Sequence, residues 1–206
     1  MSDFIIENSV LVKYKGGARS VTVPVGVTII GMHAFEDLDF LEEVRLPEGV
    51  THILDCAFLY CEALTHIALP QTLAYIGNFA FAECWALTHV ALPASLLELG
   101  YNAFACTGLA EVSIPPMVTT IPEGAFWKCK GLVRAHLPAS VTTIEAGAFS
   151  DCAGLTEVIL AAPDGVWLAA DAPSEQPTQA LALSDPTHTA RLLRTEACDK
   201  YLERQL

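Results

Sequence analysis

Positive charge is scarce in this sequence. Only 11 of its 206 residues are Lys or Arg, against 24 Asp and Glu, and none of the 11 lies between Arg45 and Lys128. A net charge of −13 repels phosphate backbones and anionic headgroups, which excludes generic nucleic-acid binding and attraction to a charged membrane. Charged residues of both signs make up 17% of the chain and hydrophobic residues 52%, the reverse of a disordered composition. A long apolar run is missing too. The longest stretch without Asp, Glu, Lys or Arg, residues 63–82, is interrupted by His66, Pro70, Gln71 and Asn78, so no membrane span is expected. Met1-Ser2-Asp3-Phe4 has neither a basic nor a long apolar segment, so no signal peptide is expected either. The seven cysteines are an odd number and cannot all pair within the chain. Reduced thiols in a cytoplasmic protein are the simpler expectation, with a secreted or cell-surface location as the alternative. The G-x-S-x-G, Walker A, G-x-G-x-x-G and H-E-x-x-H signatures are absent. The chain therefore reads as a non-enzyme, with no cofactor implied.

What is abundant is repetition. Six Ala-Phe pairs, ending at Phe35, Phe58, Phe81, Phe104, Phe126 and Phe149, are spaced by 23, 23, 23, 22 and 23 residues. Leu41, Leu64, Leu87, Leu109, Leu132 and Leu155 follow, then Val44, Ile67, Val90, Val112, Ala135 and Val158. Two further on stand Leu46, Leu69, Leu92, Ile114, Leu137 and Leu160, and Pro comes next in the first five repeats. Apolar residues two apart share one face of a strand. One 23-residue unit cannot bury that face alone, whereas stacked units build one continuous core. Pro ends each strand because it has no N–H for the next ladder bond. The fourth repeat is one residue short, at Ala105-Cys106-Thr107-Gly108, and the deletion is expected in a turn.

The unit L-x-x-[IV]-x-L-P followed by V-x-x-I-x-x-x-A-F-x-x-C-x-x-L resembles the BspA-type (treponemal-type) leucine-rich repeats. Segments such as Leu64-Thr65-His66-Ile67-Ala68-Leu69-Pro70 and Ile76-Gly77-Asn78-Phe79-Ala80-Phe81-Ala82-Glu83-Cys84 carry the resemblance, over about residues 21 to 168. It implies a leucine-rich repeat solenoid of the α/β horseshoe type: short parallel strands, turns and short helical segments in about six repeats with caps. It also implies protein binding, adhesion or host-cell contact, often on secreted or surface proteins. The family places small buried side chains at the cysteine position.

Four parts are expected. Residues 1–20 read as an N-terminal hairpin cap turning near Asn8-Ser9, because an open solenoid end exposes core and strand edges. Residues 21–168 are the solenoid. Residues 169–188, rich in Ala, Pro, Ser and Thr, read as a linker or loop, and 189–206 as a C-terminal helix that caps the last rung or binds a partner.

Outward positions on the strands are the candidate partner site. One column is Glu43, His66, His89, Glu111, Arg134 and Glu157, and its neighbour includes Arg45 and His136. A protein partner of unknown identity is expected there, since repeat proteins bind along extended faces. His66 and His89, flanked by Glu43 and Glu111, are a weak candidate for a divalent metal. Cys61, Cys84, Cys106, Cys129 and Cys152 are read as one structural column, since thiols pointing the same way do not converge on a metal. Tyr60, Trp85 and Trp127 mark the turns, and Lys128, Lys130 and Arg134 form a small basic cluster.

Overall fold

In the computed structural model the described residues are 3–161, 167–170, 179–181, 185–196 and 200–204. Each repeat makes one coil with two short strands. The first strands form a face in two sheets: Ser20–Thr22, Glu43–Arg45 and His66–Ala68, then Glu111–Ser113, Arg134–Leu137 and Glu157–Leu160. All pairs within them are parallel and in repeat register, so Val44 pairs with Ile67 and Ala135 with Val158. Val44, Ile67, Ala135 and Val158 point inward and are buried, while their neighbours alternate outward.

The second strands, Ile29–Ile30, His52–Ile53, Tyr75–Ile76 and Glu98–Leu99, make the opposite face. There the N–H groups of Gly77, Gly100 and Glu145 donate back to the preceding rung, at 2.8, 2.7 and 2.9 Å. Pro122 stands at the equivalent position and has no N–H. The sheet accordingly stops at Glu98–Leu99 and a new one begins at Thr120–Ile121.

Between the faces run the Ala-Phe segments. They are successive turns, with no helix among the described residues of the repeats. Their ladder bonds run forward: the N–H groups of Phe35, Phe58 and Phe81 each donate 2.8 Å to the alanine carbonyl of the next repeat. Two residues before and two after each ladder Phe, φ is positive, as at Cys56 (57°) and Tyr60 (60°) or Phe79 (55°) and Glu83 (60°). Glycine is the easy residue there, yet only Gly124 and Gly147 use it within these columns. The remaining positions carry some backbone strain that the continuous ladder holds in place.

The six phenylalanines lie in single file. Consecutive rings are stacked with centroids 4.9, 5.1, 5.1, 5.9 and 5.3 Å apart, and all six are buried. Each burial contributes about 1.5–3 kcal/mol.

The ends are closed differently. Phe4–Glu7 and Val10–Tyr14 form an antiparallel hairpin through Asn8 and Ser9, both at positive φ as a tight two-residue turn requires. Val10–Tyr14 then pairs with Ile29–Ile30. Tyr14 stacks 5.5 Å from Phe35, and Phe4 lies 5.2 Å from Tyr14, so the aromatic file ends under a lid. At the other end Asp185 caps a short helix, Pro186–Arg191, by accepting from His188 N at 2.7 Å. The chain continues as a wider helical turn, Leu192–Glu196, and Thr189, Ala190, Leu192 and Leu193 are buried. The helix expected over 189–206 thus begins earlier and ends sooner. Tyr201–Arg204 is a strand, antiparallel to both Thr143–Ile144 and Trp167–Ala170, because the last rung of the second face offers an unpaired edge. Within the span expected as a linker, Gln179–Leu181 is a strand on Trp167–Ala170, and residues 171–178 and 182–184 lie outside the described residues.

Candidate functional site

The strand face carries two polar groups of side chains. In the first, Glu43 accepts from Ser20 Oγ and Arg45 Nε, each at 2.9 Å. The Ser20 hydroxyl and the Arg45 guanidinium hold the Glu43 carboxyl below its usual range. His66 lies opposite Glu43 in the ladder, and Ala68 opposite Arg45. In the second group, Arg134 Nε meets Glu157 at 2.6 Å and Arg134 Nη1 approaches Glu111 at 3.7 Å. The Glu157 carboxylate raises the Arg134 pKa. His136 Nε2 lies 2.9 Å from the other oxygen of Glu111. Four side chains from three strands thus form one network. They are 38–48% exposed, so their pairing orients them more than it stabilises the fold.

Between the groups the face is interrupted. Residues 88–92 are not a strand, and residues 89–92 make no backbone hydrogen bond among the described residues. His89 is exposed, and its Nδ1 lies 2.9 Å from Thr88 Oγ1. Backbone groups without ladder partners remain open to water or to another chain. The repeat pattern runs unbroken through Thr88-His89-Val90-Ala91-Leu92, so nothing in those residues signals the gap.

The candidate metal site is not assembled. His66 and His89 do not share a ladder, and Glu111 is engaged by Arg134 and His136. Among the described residues no three His, Cys, Asp or Glu side chains are grouped to hold a metal ion.

The cysteine column needs one correction. Cys61, Cys84, Cys129 and Cys152 are buried, and each thiol donates to the carbonyl of the ladder Phe one repeat earlier, Phe35, Phe58, Phe104 and Phe126, at 3.1, 3.2, 3.0 and 2.9 Å. Cys106 is not in the column. It stands two places after its ladder Phe, and Thr107 takes the third place, donating to Phe104 O of its own repeat at 2.9 Å where the thiols reach the repeat before, and touching Cys129 Sγ at 3.1 Å. A hydroxyl replaces a thiol because the position asks for a small donor. Burial pushes the Cys61 thiol up to about 12 and raises Cys84. The half-buried Cys106 is pushed up to about 11, by burial and then by its hydrogen bond with Glu83. Raised thiols are poor nucleophiles, which suits packing at these three; at Cys129, against its burial, hydrogen bonds with Cys152 and Thr107 lower the thiol.

The family described as BspA type leucine rich repeat region matches residues 28–156 in six copies. A leucine-rich repeat protein of T. pallidum is similar at 30% identity and a TM-score of 0.72, over 76% of this chain and 78% of that one. A leucine-rich repeat protein from Bacteroides ovatus is 29% identical at a TM-score of 0.65, over 76% of this chain and 47% of that one. A leucine rich cell surface protein from Faecalibacterium prausnitzii is 27% identical at 0.50, over 73% and 35%. Among curated proteins none matches the chain. Leucine-rich repeat solenoids generally serve as non-enzymatic interaction modules. Among the described residues no helix is long and apolar enough to cross a membrane. Six copies in register, the phenylalanine file and the solved relatives agree: this chain belongs to the BspA-type leucine-rich repeat family.

Proposed function

We propose that this chain is a non-enzymatic module that binds another protein through the strand face of its solenoid. The interrupted rung at residues 89–92 carries the reading: free backbone donors and acceptors lie between two oriented polar groups. His66 borders the gap on one side, with Glu43 and Arg45 one rung behind it, and Glu111 borders it on the other, with Arg134, His136 and then Glu157 behind. An extended segment of a partner can supply the missing ladder bonds, as in strand addition, while the flanking side chains read its sequence. Exposed Ala68 and Ala91 leave room for its side chains.

The test is a triple variant, H66A/H89A/R134A. It is expected to lose the partner in affinity capture while its thermal midpoint stays within about 3 °C of the parent, since all three are surface side chains. A partner retained by the folded variant overturns the strand-face reading. A secreted or surface adhesive role is the second reading, favoured by the cell-surface relative from F. prausnitzii. Fractionation of native cells separates it from a cytoplasmic one.

A further inference from the structure

The turn edge of the solenoid is a separate surface with a regular plan. Each turn presents residues two and four places after its ladder Phe. In chain order the pairs are Asp37 and Asp39, Tyr60 and Glu62, Glu83 and Trp85, Cys106 and Gly108, Lys128 and Lys130, and Asp151 and Ala153. The edge is therefore polar along its length. Its first three turns carry Asp37, Asp39, Glu62 and Glu83, while its fifth carries two lysines with Arg194 beside them.

These cations differ from others on the molecule. Arg19, Arg45 and Arg134 are each paired with a glutamate. Lys128 and Lys130 form no ion pair among the described residues, although Asp151 lines the same groove. Lys128 Nζ instead sits 4.0 Å over the Trp127 ring. Arg194 Nε is buried with no hydrogen-bond partner among the described residues.

The middle of the edge has a shape as well as a charge. Trp85 is 60% exposed and Tyr60 46%. The one-residue deletion puts Gly108 where other turns carry Glu62, Trp85 or Lys130, and this leaves a cleft of about 480 Å³ bordered by Glu83, Trp85, Cys106, Gly108, Lys128 and Lys130. Large exposed aromatics beside a cleft are unusual on an isolated surface and common at interface centres.

We infer that the occupant of this edge is a second copy of the chain, turned antiparallel about a two-fold axis through the third turn. In that arrangement the first turn faces the fifth, and Asp37 and Asp39 meet Lys128 and Lys130. The second turn faces the fourth, and Tyr60 enters the cleft beside Gly108. The third faces itself, and Trp85 meets Trp85, while each Glu83 carboxylate is held by the Trp85 Nε1–H of its own copy, which tempers the repulsion between the two. Both copies have the same rung spacing, so these matches occur together, and symmetry makes each of them twice. A slip of one turn sets Asp37 and Asp39 against Asp151 and leaves Glu62 alone opposite Lys128 and Lys130, one carboxylate in place of two, so the charges favour the unslipped register. The strand face stays open, and this inference does not depend on the proposed partner site.

Sedimentation equilibrium of the full chain tests it, with thermal melts to verify folding. The parent is expected at the dimer mass at ~50 μM in low salt, and to shift toward monomer in ~1 M salt, where screening is strong. D37K/D39K and K128E/K130E are each expected to weaken self-association at least tenfold. Mixing the two in equal amounts restores the dimer, because one interface half stays native and the other is charge-swapped. The quadruple variant D37K/D39K/K128E/K130E dimerises by itself. A parent that is monomeric throughout, assemblies that grow beyond two, or reversals that neither weaken nor rescue would each overturn the inference.

Discussion

Residues 65–70 and 88–93 read Thr-His-Ile-Ala-Leu-Pro and Thr-His-Val-Ala-Leu-Pro, differing by one methylene at Ile67 and Val90. The first contains a strand paired to Glu43–Arg45, with Thr65 and His66 donating to Glu42 O at 2.9 and 3.2 Å. The second is not a strand, and its residues 89–92 form no backbone hydrogen bond among the described residues. Ile67 is buried, whereas Val90 and Leu92 are only partly so. Equal sequence with unequal pairing shows that a solenoid strand is a relation between neighbours. The preceding rung is the same distance away in sequence, but the following one is reached in 22 residues, through Gly108 packed against the Trp85 backbone. Beneath the gap Phe81 and Phe104 still stack at 5.1 Å. The interruption is therefore confined to the face.

The largest test of that contrast is in the core. Phe81→Ala is expected to cost about 3–5 kcal/mol in urea unfolding, like Phe58→Ala, because the file is continuous under both rungs. A much milder loss at Phe81, or two separate transitions, would turn the surface gap into a domain boundary. Next come the inward residues of the two rungs themselves. Ile67→Ala should cost about 3 kcal/mol and Val90→Ala about 1 kcal/mol, since the second removes less buried surface. Equal costs would mean that the two rungs pack alike. Hydrogen exchange reads the backbone directly. The amides of Val90 and Ala91 are expected to exchange at least ~100-fold faster than that of His66, which donates to Glu42 O at 3.2 Å. Protection at residues 89–91 comparable to 66–68 would close the gap, and the proposed binding site with it. The smallest effect belongs to the network beside the gap: Arg134→Ala should change stability by less than about 1 kcal/mol while still weakening partner capture.

Most of the fold was legible because its signal is repeated. One apolar pattern states its register six times, and stacking is the only way to bury Val44, Ile67 and Val112 on a common side. Much less of the site was legible. His66 and His89 occupy equivalent positions, so adjacency was a fair expectation, but backbone pairing stops between them. Cys106 looks like a column member when cysteines are counted, and is displaced when the turn is counted from Phe104. Thr107 shares no residue type with the column, only the property of being a small buried donor, so residue identity does not reveal it. The left-handed positions were invisible for a similar reason: Cys56, Tyr60, Phe79 and Glu83 are not residues that announce positive φ. The ion pairs of Arg134 and His136 with Glu111 depend on rotamers across three rungs, which no linear pattern specifies.

By itself the sequence determined the solenoid, its rung count and which side chains face inward, because burying a periodic apolar face has one solution when the period is constant. Tertiary structure alone decided where the ladder pauses, which thiols are locked on carbonyls and which charges meet. Those depend on offsets of one residue and distances of an ångström or two, set by neighbouring coils and not by any coil alone.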